Sequence, residues 1–353
     1  MNYYYQFPAV KGIQANRQYY VSMVPLKLLS KLFISDNDVV LPEYRAQRRI
    51  NEARIPEIRD YILNNRSNYV FSALSASIDG EFEFEAFSDD IGMLKVSMNA
   101  TFLINDGQHR KAAIESAMIE DPSLANESIS IVFFEDEGLK RSQQMFADLN
   151  KHAVKTSNSL ATLYDSRDEI AVSTKNIINS INFFKRYTDM ERDNLGKNSS
   201  KLFTLNNIYK ANQKIIHSST CTMNDEIFLL KFWREVATNI VEWQEVMDKS
   251  ITKKELRENY IISLAITLSA LGRLGRYFYD NPNIDMASVL TKLKNINWLR
   301  SNEDWLGRTI RSDGKVLNSE SASNDTYIKI KMLLGLELTK DEIKRDKKLM
   351  ESV

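Results

Sequence analysis

The chain has 353 residues, 43% of them hydrophobic, so it is long enough for two domains with sizeable cores. Lysine plus arginine and aspartate plus glutamate both number 47, so any binding to a polyanion depends on a local basic patch. The single cysteine, Cys221, excludes an internal disulfide framework and a cysteine-based metal site. The start of the chain lacks a signal-peptide pattern and no apolar run is long enough to span a bilayer, which predicts a cytoplasmic protein.

Strand and helix patterns alternate over the first 150 residues. Apolar and alternating runs predict strands at 18–24, 69–78, 81–87, 94–104 and 129–134. Asp79-Gly80 predicts a hairpin turn between the second and third of them. Helical periods predict helices at 43–64 and 110–119, with Pro56 starting the second half of the first. This alternation is typical of a compact α/β core.

Helical periods dominate after about residue 155. They predict helices at 168–186, 205–216, 225–247, 253–279 and 339–350, with capping boxes at Ser166, Thr252 and Thr339. The segment 271–278, LGRLGRYF, has two small-residue steps that favour close packing of another helix or a subunit interface. We therefore predict a mixed α/β (α+β) protein, with an α/β domain at 1–160 and a mostly α-helical domain at 161–353.

Residues 106–110, Asp-Gly-Gln-His-Arg, lie between an apolar strand and a helical period. Gly107 permits a tight turn, and the first amides of the next helix lack intrahelical partners and carry the positive end of its dipole. Such a helix start binds phosphate, and His109 and Arg110 add donors beside it. The alternative is that Asp106 caps the helix and the basic side chains are solvated.

The chain resembles the DGQHR-domain family of the ParB/sulfiredoxin-like superfamily in three blocks: 106–114 (DGQHRKAAI), 143–160 (QQMFADLNKHAVKTSNSL) and 46–63 (AQRRINEARIPEIRDYIL). That superfamily places a short basic motif at a strand-to-helix turn, where it contacts phosphates of a nucleotide or of nucleic acid. The helical second half and the Trp-Leu-Gly-Arg segment 305–308 resemble DndB, the regulatory family of DNA phosphorothioation (DNA sulfur modification) systems. The resemblance implies a ParB/sulfiredoxin-like N-terminal domain and a DNA-binding repressor of the modification genes.

The leading hypothesis is that this turn and the basic side chains around it bind DNA phosphates. The predicted phosphate, DNA or nucleotide contacts are Arg45, Arg48, Arg49, Asp106, Gly107, Gln108, His109, Arg110, Asn150 and Lys151. Arginine rather than lysine along 45–66 favours phosphate contact, although ion pairs on a solvated face are the alternative. In the loop 297–326, Arg308 and Arg311 are predicted to be exposed secondary DNA contacts, while Trp298 and Trp305 are expected to pack against the helical domain.

The rival hypothesis is a nucleotide-binding or nucleotide-hydrolysing (ATP or CTP) component of a DNA modification or defence system. The same turn would bind the phosphates, with Asp106 or Asn150 assisting Mg²⁺ or a water; without a GxxxxGK[ST] loop it would not be a P-loop enzyme. No catalytic triad or metal-ligand spacing is visible, so we predict no catalytic residue, no metal site and no required cofactor. A third hypothesis is that the chain is a pure assembly subunit of a modification complex. The predicted partners are promoter DNA, phosphorothioated or not, other DNA-modification proteins and a second copy of the chain, but not a membrane.

Overall fold

The computed structural model describes residues 3–33, 50–151, 156–196, 199–218 and 220–351, without the side chains of residues 139, 146, 147, 150 and 151. The chain forms two compact units, Met1–Val154 and Lys155–Val353, called unit 1 and unit 2 here. A seven-stranded mixed sheet and many helices confirm the predicted mixed α/β (α+β) class. None of the helices in the described ranges is both long and apolar enough to cross a membrane.

Unit 1 is built around the sheet. Its strands are β1 Tyr4–Gln14, β2 Arg17–Pro25, β3 Leu74–Asp79, β4 Phe82–Ser88, β5 Ile91–Ser97, β6 Thr101–Asp106 and β7 Ser128–Glu135. Its helices are α1 Leu29–Leu32, α2 Ile55–Asn64, α3 Gln108–Glu120 and α4 Leu139–Lys151. The strand order is β4-β5-β1-β2-β7-β3-β6, and only β3 and β7 run parallel. Pro56 lies in the first turn of α2, as predicted.

The core of unit 1 lies on one face of this sheet. Burial alternates along β7, so that Ile129, Ile131 and Phe133 face the core together with Ile62 of α2 and Ile114 of α3. The opposite face is polar at β3 and β6, where buried serine and asparagine side chains replace the apolar ones. The DGQHR turn, residues 106–110, therefore follows an edge strand, β6, which has an apolar face toward the core and a polar opposite face.

The predicted hairpin at Asp79-Gly80 is wrong in its pairing. β3 pairs with β6 and β7, whereas β4 pairs with β5, so the turn joins strands that do not pair with each other. The type I′ turn favoured by Asp-Gly needs positive φ at both central residues, but only Gly80 has it, at +129°. The predicted single strand 94–104 is also wrong, because it is divided into two strands, β5 and β6. The strand β1 was not predicted.

Unit 2 is helical. Its elements are α5 Asn158–Tyr164, α6 Glu169–Ser180, α7 Asn182–Tyr187, β8 Thr188–Asp189, β9 Phe203–Thr204, α8 Leu205–Ile216, α9 Met223–Asn239, α10 Val241–Asp248, α11 Lys253–Asn259, α12 Ala265–Asp280, α13 Met286–Leu290, α14 Glu320–Leu333 and α15 Lys340–Met350. All four tryptophans of the chain are fully buried in its core: Trp233, Trp243, Trp298 and Trp305. Trp298 and Trp305 stack with their ring centroids 5.4 Å apart, which confirms that this pair packs.

Helix starts in unit 2 follow the capping rules in part. The boxes at Thr252 and Thr339 are confirmed. The box at Ser166 is wrong, because Asp168 caps α6 instead and accepts from the amide of Ala171. An unpredicted box starts α9 at Thr222, where aspartate takes the place of glutamate.

Three predicted long helices are each divided in two. The break between α6 and α7 falls at Ile181, and that between α9 and α10 at Ile240, both with extended backbone angles. The third, 253–279, separates into α11 and α12. Within α12, Gly272 and Gly275 lie against α8; a Cβ at Gly272 would be 2.7 Å from the carbonyl oxygen of Ala211. The predicted close helix packing is therefore confirmed within the unit.

Candidate functional site

The DGQHR turn has the geometry of an open helix start. β6 ends at Asp106, and Gly107 is the N-cap of α3 with φ of 102° and ψ of 16°, in the left-handed region. A Cβ at this position would be 2.3 Å from Cδ2 of Leu74, so only glycine fits. Among the described residues no side chain caps α3, and the Asp106 carboxylate accepts from Arg110 instead, so the alternative that Asp106 caps the helix is wrong.

Arg110 braces the turn. Its Nη2 donates to Oδ2 of Asp106 at 2.7 Å, and its Nη1 donates to the carbonyl oxygen and Oγ of Ser72 at 2.6 and 2.5 Å and to the carbonyl oxygen of Ala73 at 3.0 Å. The side chain is 17% exposed. Both terminal amino groups of the guanidinium are thus engaged with the protein, which ties the start of α3 to the segment leading into β3.

His109 also contacts the protein. Its Nε2 accepts a hydrogen bond from the backbone amide of Asn51 at 3.0 Å. A ring nitrogen that accepts an N–H carries no proton of its own, so in this arrangement Nε2 is an acceptor rather than a phosphate donor. The bond joins the first turn of α3 to the residues immediately before the short 3-10 helix Glu52–Arg54.

Four buried polar side chains, called the polar cluster here, lie in the turn or on the two strands next to it: Ser75, Ser77, Asn105 and Gln108. Asn105 Nδ2 donates to Ser77 Oγ at 2.8 Å and to Sδ of Met145 in α4 at 3.1 Å. Three side-chain atoms of the cluster are buried with no hydrogen-bond partner in the structure as described: Ser75 Oγ, Asn105 Oδ1 and Gln108 Nε2. A buried polar atom left unpaired costs roughly 1–3 kcal/mol, so these three atoms are groups that a ligand could satisfy.

A cavity of about 670 Å³ opens in unit 1 next to this cluster. It lies between the β1–β2 turn, the end of β7 and α4, and its wall includes Arg141, Met145 and Tyr20. Burial, with a smaller contribution from Glu135, raises the pKa of the Tyr20 hydroxyl, so the tyrosine is neutral at physiological pH. Met145 contacts Asn105 and also lines the cavity, so it connects the two features. The volume lies within the usual range of small-molecule sites.

Several predicted contacts involve residues or side chains outside the described part of the chain. Residues 34–49, which include Arg45, Arg48 and Arg49, lie outside the described residues. Asn150 and Lys151 end α4, but their side chains also lie outside the description. The phosphate contacts predicted for these five residues stay predictions.

Two arginines in the described part of the stretch 45–66, Arg59 and Arg66, form ion pairs within unit 1. Arg59 Nη2 lies 2.7 Å from Asp60 and its Nη1 3.2 Å from Glu120. Arg66 lies 2.7 Å from Asp121 and 2.8 Å from Glu127. For Arg59 and Arg66 the ion-pair alternative therefore describes the observed contacts.

The expectation that Arg308 is exposed is wrong. Only 3% of its side chain is accessible, because α15 covers it: Nη2 donates to Oδ1 of Asp346 at 2.5 Å and lies 3.2 Å from Sδ of Met350. Arg311 is exposed as expected, with 56% of its side chain accessible and Asp313 at 3.3 Å. Both residues belong to unit 2.

The residues that fix the conformation of the DGQHR turn were not predicted from the sequence. Ser72, Ala73 and Asn51 each hold a side chain of the DGQHR turn. Ser72 and Ala73 lie outside the three blocks of family resemblance, and Asn51 lies within the block 46–63 but was not predicted to contact the turn. Ser72 reaches Arg110 because β3 and β6 pair antiparallel, with Ser75 opposite Asp106. The contact between Ser72 and Arg110 therefore follows from the strand pairing, which no local sequence pattern reveals.

The family model of DndB, described as DNA-sulfur modification-associated, matches residues 7–337. The matched range contains the DGQHR turn, the polar cluster and the cavity, and it ends before α15. Comparison with curated proteins and with solved structures finds no match. The match spans nearly the whole chain, and the chain therefore belongs to the DndB family of DNA-sulfur modification-associated proteins.

Proposed function

We propose that the chain is a DNA-binding regulator, a repressor of the genes of a DNA phosphorothioate-modification system, and that the DGQHR turn contacts DNA phosphate. Family membership supports the link to DNA sulfur modification. The observation that carries the site assignment is the helix start at Gly107: within the described part of the chain, α3 has no side-chain cap and the amide nitrogen of the adjacent Gln108 side chain has no partner. Both features suit an oxyanion.

The donors in this proposal are mainly backbone groups. α3 has 13 residues, so its first turn carries the positive end of a full helix dipole. Gln108 is 8% exposed and is the first residue of α3, and we propose that its unpartnered Nε2 adds a side-chain donor to the backbone amides of the same helix start. Arg110 holds the turn in shape rather than gripping the phosphate with both amino groups, because its charge is paired with Asp106.

The rest of the binding surface belongs to the neighbouring basic residues. His109 holds Asn51, and Arg49 precedes Asn51 by only two residues in the sequence. We propose that Arg45, Arg48 and Arg49 act together with the turn on one stretch of DNA backbone. Phosphate contacts of this kind make affinity fall steeply with salt concentration.

A substitution at Gln108 tests the proposal without damaging the fold. Gln108→Met removes a buried unpaired donor and keeps the volume, so stability should be unchanged or higher. Binding to the upstream DNA of the chain's own gene should weaken on the order of tenfold, which corresponds to one charge-assisted hydrogen bond. The matched control is Gln6→Met, exposed on β1, four strands away from β6. Equal DNA affinity of Gln108→Met and wild type would remove the turn from the binding site.

A second candidate function, nucleotide binding by unit 1, has one observation in its favour. The cavity of about 670 Å³ adjoins the polar cluster through Met145, and it has an arginine, Arg141, in its wall. A nucleotide there would place its base or sugar in the cavity and its phosphates toward the turn. Mg²⁺ would then come with the nucleotide.

Calorimetry with ATP and CTP in the presence of Mg²⁺ tests this candidate. If it is right, Arg141→Ala loses nucleotide affinity and keeps DNA affinity. If neither nucleotide releases heat or phosphate with the wild-type chain, the nucleotide function is excluded. The DNA-binding proposal is unaffected by that result, because its readout is the duplex.

A further inference from the structure

The C-terminal helix α15 is attached to unit 2 through charge rather than through apolar burial. None of its residues is buried. Its contacts include three ion pairs to groups that are themselves buried: Glu342 to Lys331 at 2.9 Å, Asp346 to Arg308 at 2.5 Å and Arg345 to Asp325 at 2.5 Å. Lys331 and Arg308 are only 2% and 3% exposed.

These pairs fix which face of α15 looks inward. Glu342, Arg345 and Asp346 are separated by three and four residues, so they share one side of the helix. At 3.6 residues per turn the opposite side carries four lysines within an arc of about 100°. They are Lys340, Lys344, Lys347 and Lys348, all exposed. The ion pairs therefore hold a lysine row, residues 340, 344, 347 and 348, toward solvent.

Helix stability explains only half of the lysine row, because Lys347 and Lys348 lie in the last turn, where cations complement the dipole, whereas Lys340 and Lys344 do not. No ion pair joins any of these four lysines to an acid within the described ranges of the chain. Lys340 begins the helix, where a cation opposes the dipole. Two exposed acids lie near the row: Asp341 at its margin and Glu351 just beyond the helix end. The row itself retains a clear excess of positive charge.

The row suits a DNA backbone better than a protein surface. It spans about 12 Å, a length over which B-DNA carries roughly seven phosphate charges. The row itself consists of lysines alone, although Ile343 and Met350 of α15 are exposed beside it. Lysine is depleted in protein–protein interfaces, whose centres are aromatic and apolar. Lysines on flexible stems are point charges that suit phosphates irrespective of base sequence.

We propose that α15 is a DNA-backbone contact of unit 2, docked by its inward-facing acids and binding phosphates through the lysine row. The proposal rests on the DNA-binding function proposed above, and it adds a surface that lies beyond the matched family range of 7–337. Because the contact is to phosphates, it raises affinity for every DNA sequence alike and leaves operator choice to other residues.

The test compares two double variants of the full chain. Lys344→Ala/Lys348→Ala removes two charges of the row, and alanine preserves the helix. The control, Lys185→Ala/Lys254→Ala, removes two exposed lysines elsewhere on unit 2. Fluorescence anisotropy with the upstream duplex and with an unrelated duplex is measured between about 50 and 200 mM salt. The row variant should bind both duplexes roughly tenfold more weakly at the lower salt, with a log–log salt slope reduced by about 2.

The outcomes separate this inference from the proposed function. If the wild-type chain binds the duplexes and the row variant behaves like the control, α15 is not a DNA contact, while the proposed function stands. If the wild-type chain binds no duplex at all, both fail. If the row variant loses affinity for the upstream duplex only, the lysines read sequence and the backbone-contact assignment is overturned.

Discussion

Arg110 Nη2 donates to Oδ2 of Asp106 at 2.7 Å, so the two charged ends of the DGQHR turn neutralise each other across Gly107. The remaining amino group of Arg110 is held by Ser72 and Ala73. The arginine of the motif is therefore a brace that shapes the start of α3. Loss of Arg110 should affect the fold of the turn before it affects binding.

Arg110→Ala should destabilise the neighbourhood of the turn. Four hydrogen bonds from a mostly buried guanidinium are lost, which should cost about 2–3 kcal/mol. Arg110→Lys should recover only part of it, because an ammonium cannot reproduce the fork that reaches Asp106, Ser72 and Ala73 together. Hydrogen exchange of peptides covering 70–79 and 101–115 should show faster opening in both variants, more in Arg110→Ala. If Arg110→Lys is as stable as wild type, charge rather than geometry holds the turn.

Gly107→Ala should be more harmful than the same change at a glycine with similar backbone angles. Gly138 has φ of 96° and nothing within 4 Å of a built Cβ, whereas Gly107 has φ of 102° and Leu74 at 2.3 Å. Gly138→Ala should cost about 1–2 kcal/mol from backbone strain alone. Gly107→Ala adds a steric clash worth about 1–3 kcal/mol. Chemical denaturation followed by circular dichroism measures both, and equal losses would mean that Leu74 simply moves away.

The parts of the fold that local chemistry determines were predictable. The helix 205–216 coincides with α8, and two of three capping boxes are present, because both depend on residues within a few positions. Strand partners were not predictable in the same way. Asp79-Gly80 has the composition of a hairpin turn, yet β3 pairs with β7 and β6 inside the sheet and not with β4.

In the candidate site, too, local features were predictable and long-range contacts were not. Gly107 and the helix start after it follow from the sequence of residues 102–114. The partners of Arg110 and His109 lie 38 and 58 residues away in the chain, so no local pattern identifies them. The burial of Arg308 depends on α15, which lies 32 residues beyond it and covers it through Asp346.

Asp346→Ala should destabilise unit 2 strongly. It leaves the guanidinium of Arg308 buried without its carboxylate, which costs about 3 kcal/mol or more when a buried pair loses one partner. Arg311→Ala is the control: its side chain is 56% exposed, and its removal should change stability by less than about 0.5 kcal/mol. All four tryptophans lie in unit 2, so tryptophan fluorescence in urea follows this unit directly. A small effect of Asp346→Ala would indicate that Arg308 finds another partner when α15 changes.

The docking of α15 should weaken in acid because of Glu342. Burial raises the pKa of this carboxyl, but hydrogen bonds from Lys331 and from Thr339 outweigh it, and the pKa in the folded chain lies below the ordinary glutamate value. A lowered pKa means that Glu342 stabilises the docked helix fully above the ordinary pKa of about 4.3 and that this contribution is lost as the pH falls through the folded value. Hydrogen-exchange protection of 340–350, corrected for the intrinsic rate, should therefore drop in that window.

Glu342→Gln provides the matched variant for this pH effect. Glutamine at this position still accepts from the amide of Thr339, so the capping box survives, but it forms no ion pair with Lys331. The variant should show lower protection of α15 at neutral pH, because Lys331 is 2% exposed and loses its counter-charge. It should also show a weaker dependence on pH below about 4.3 than the wild-type chain. If both proteins lose protection over the same range and by the same amount, another carboxyl controls the docking and Glu342 serves only as a cap.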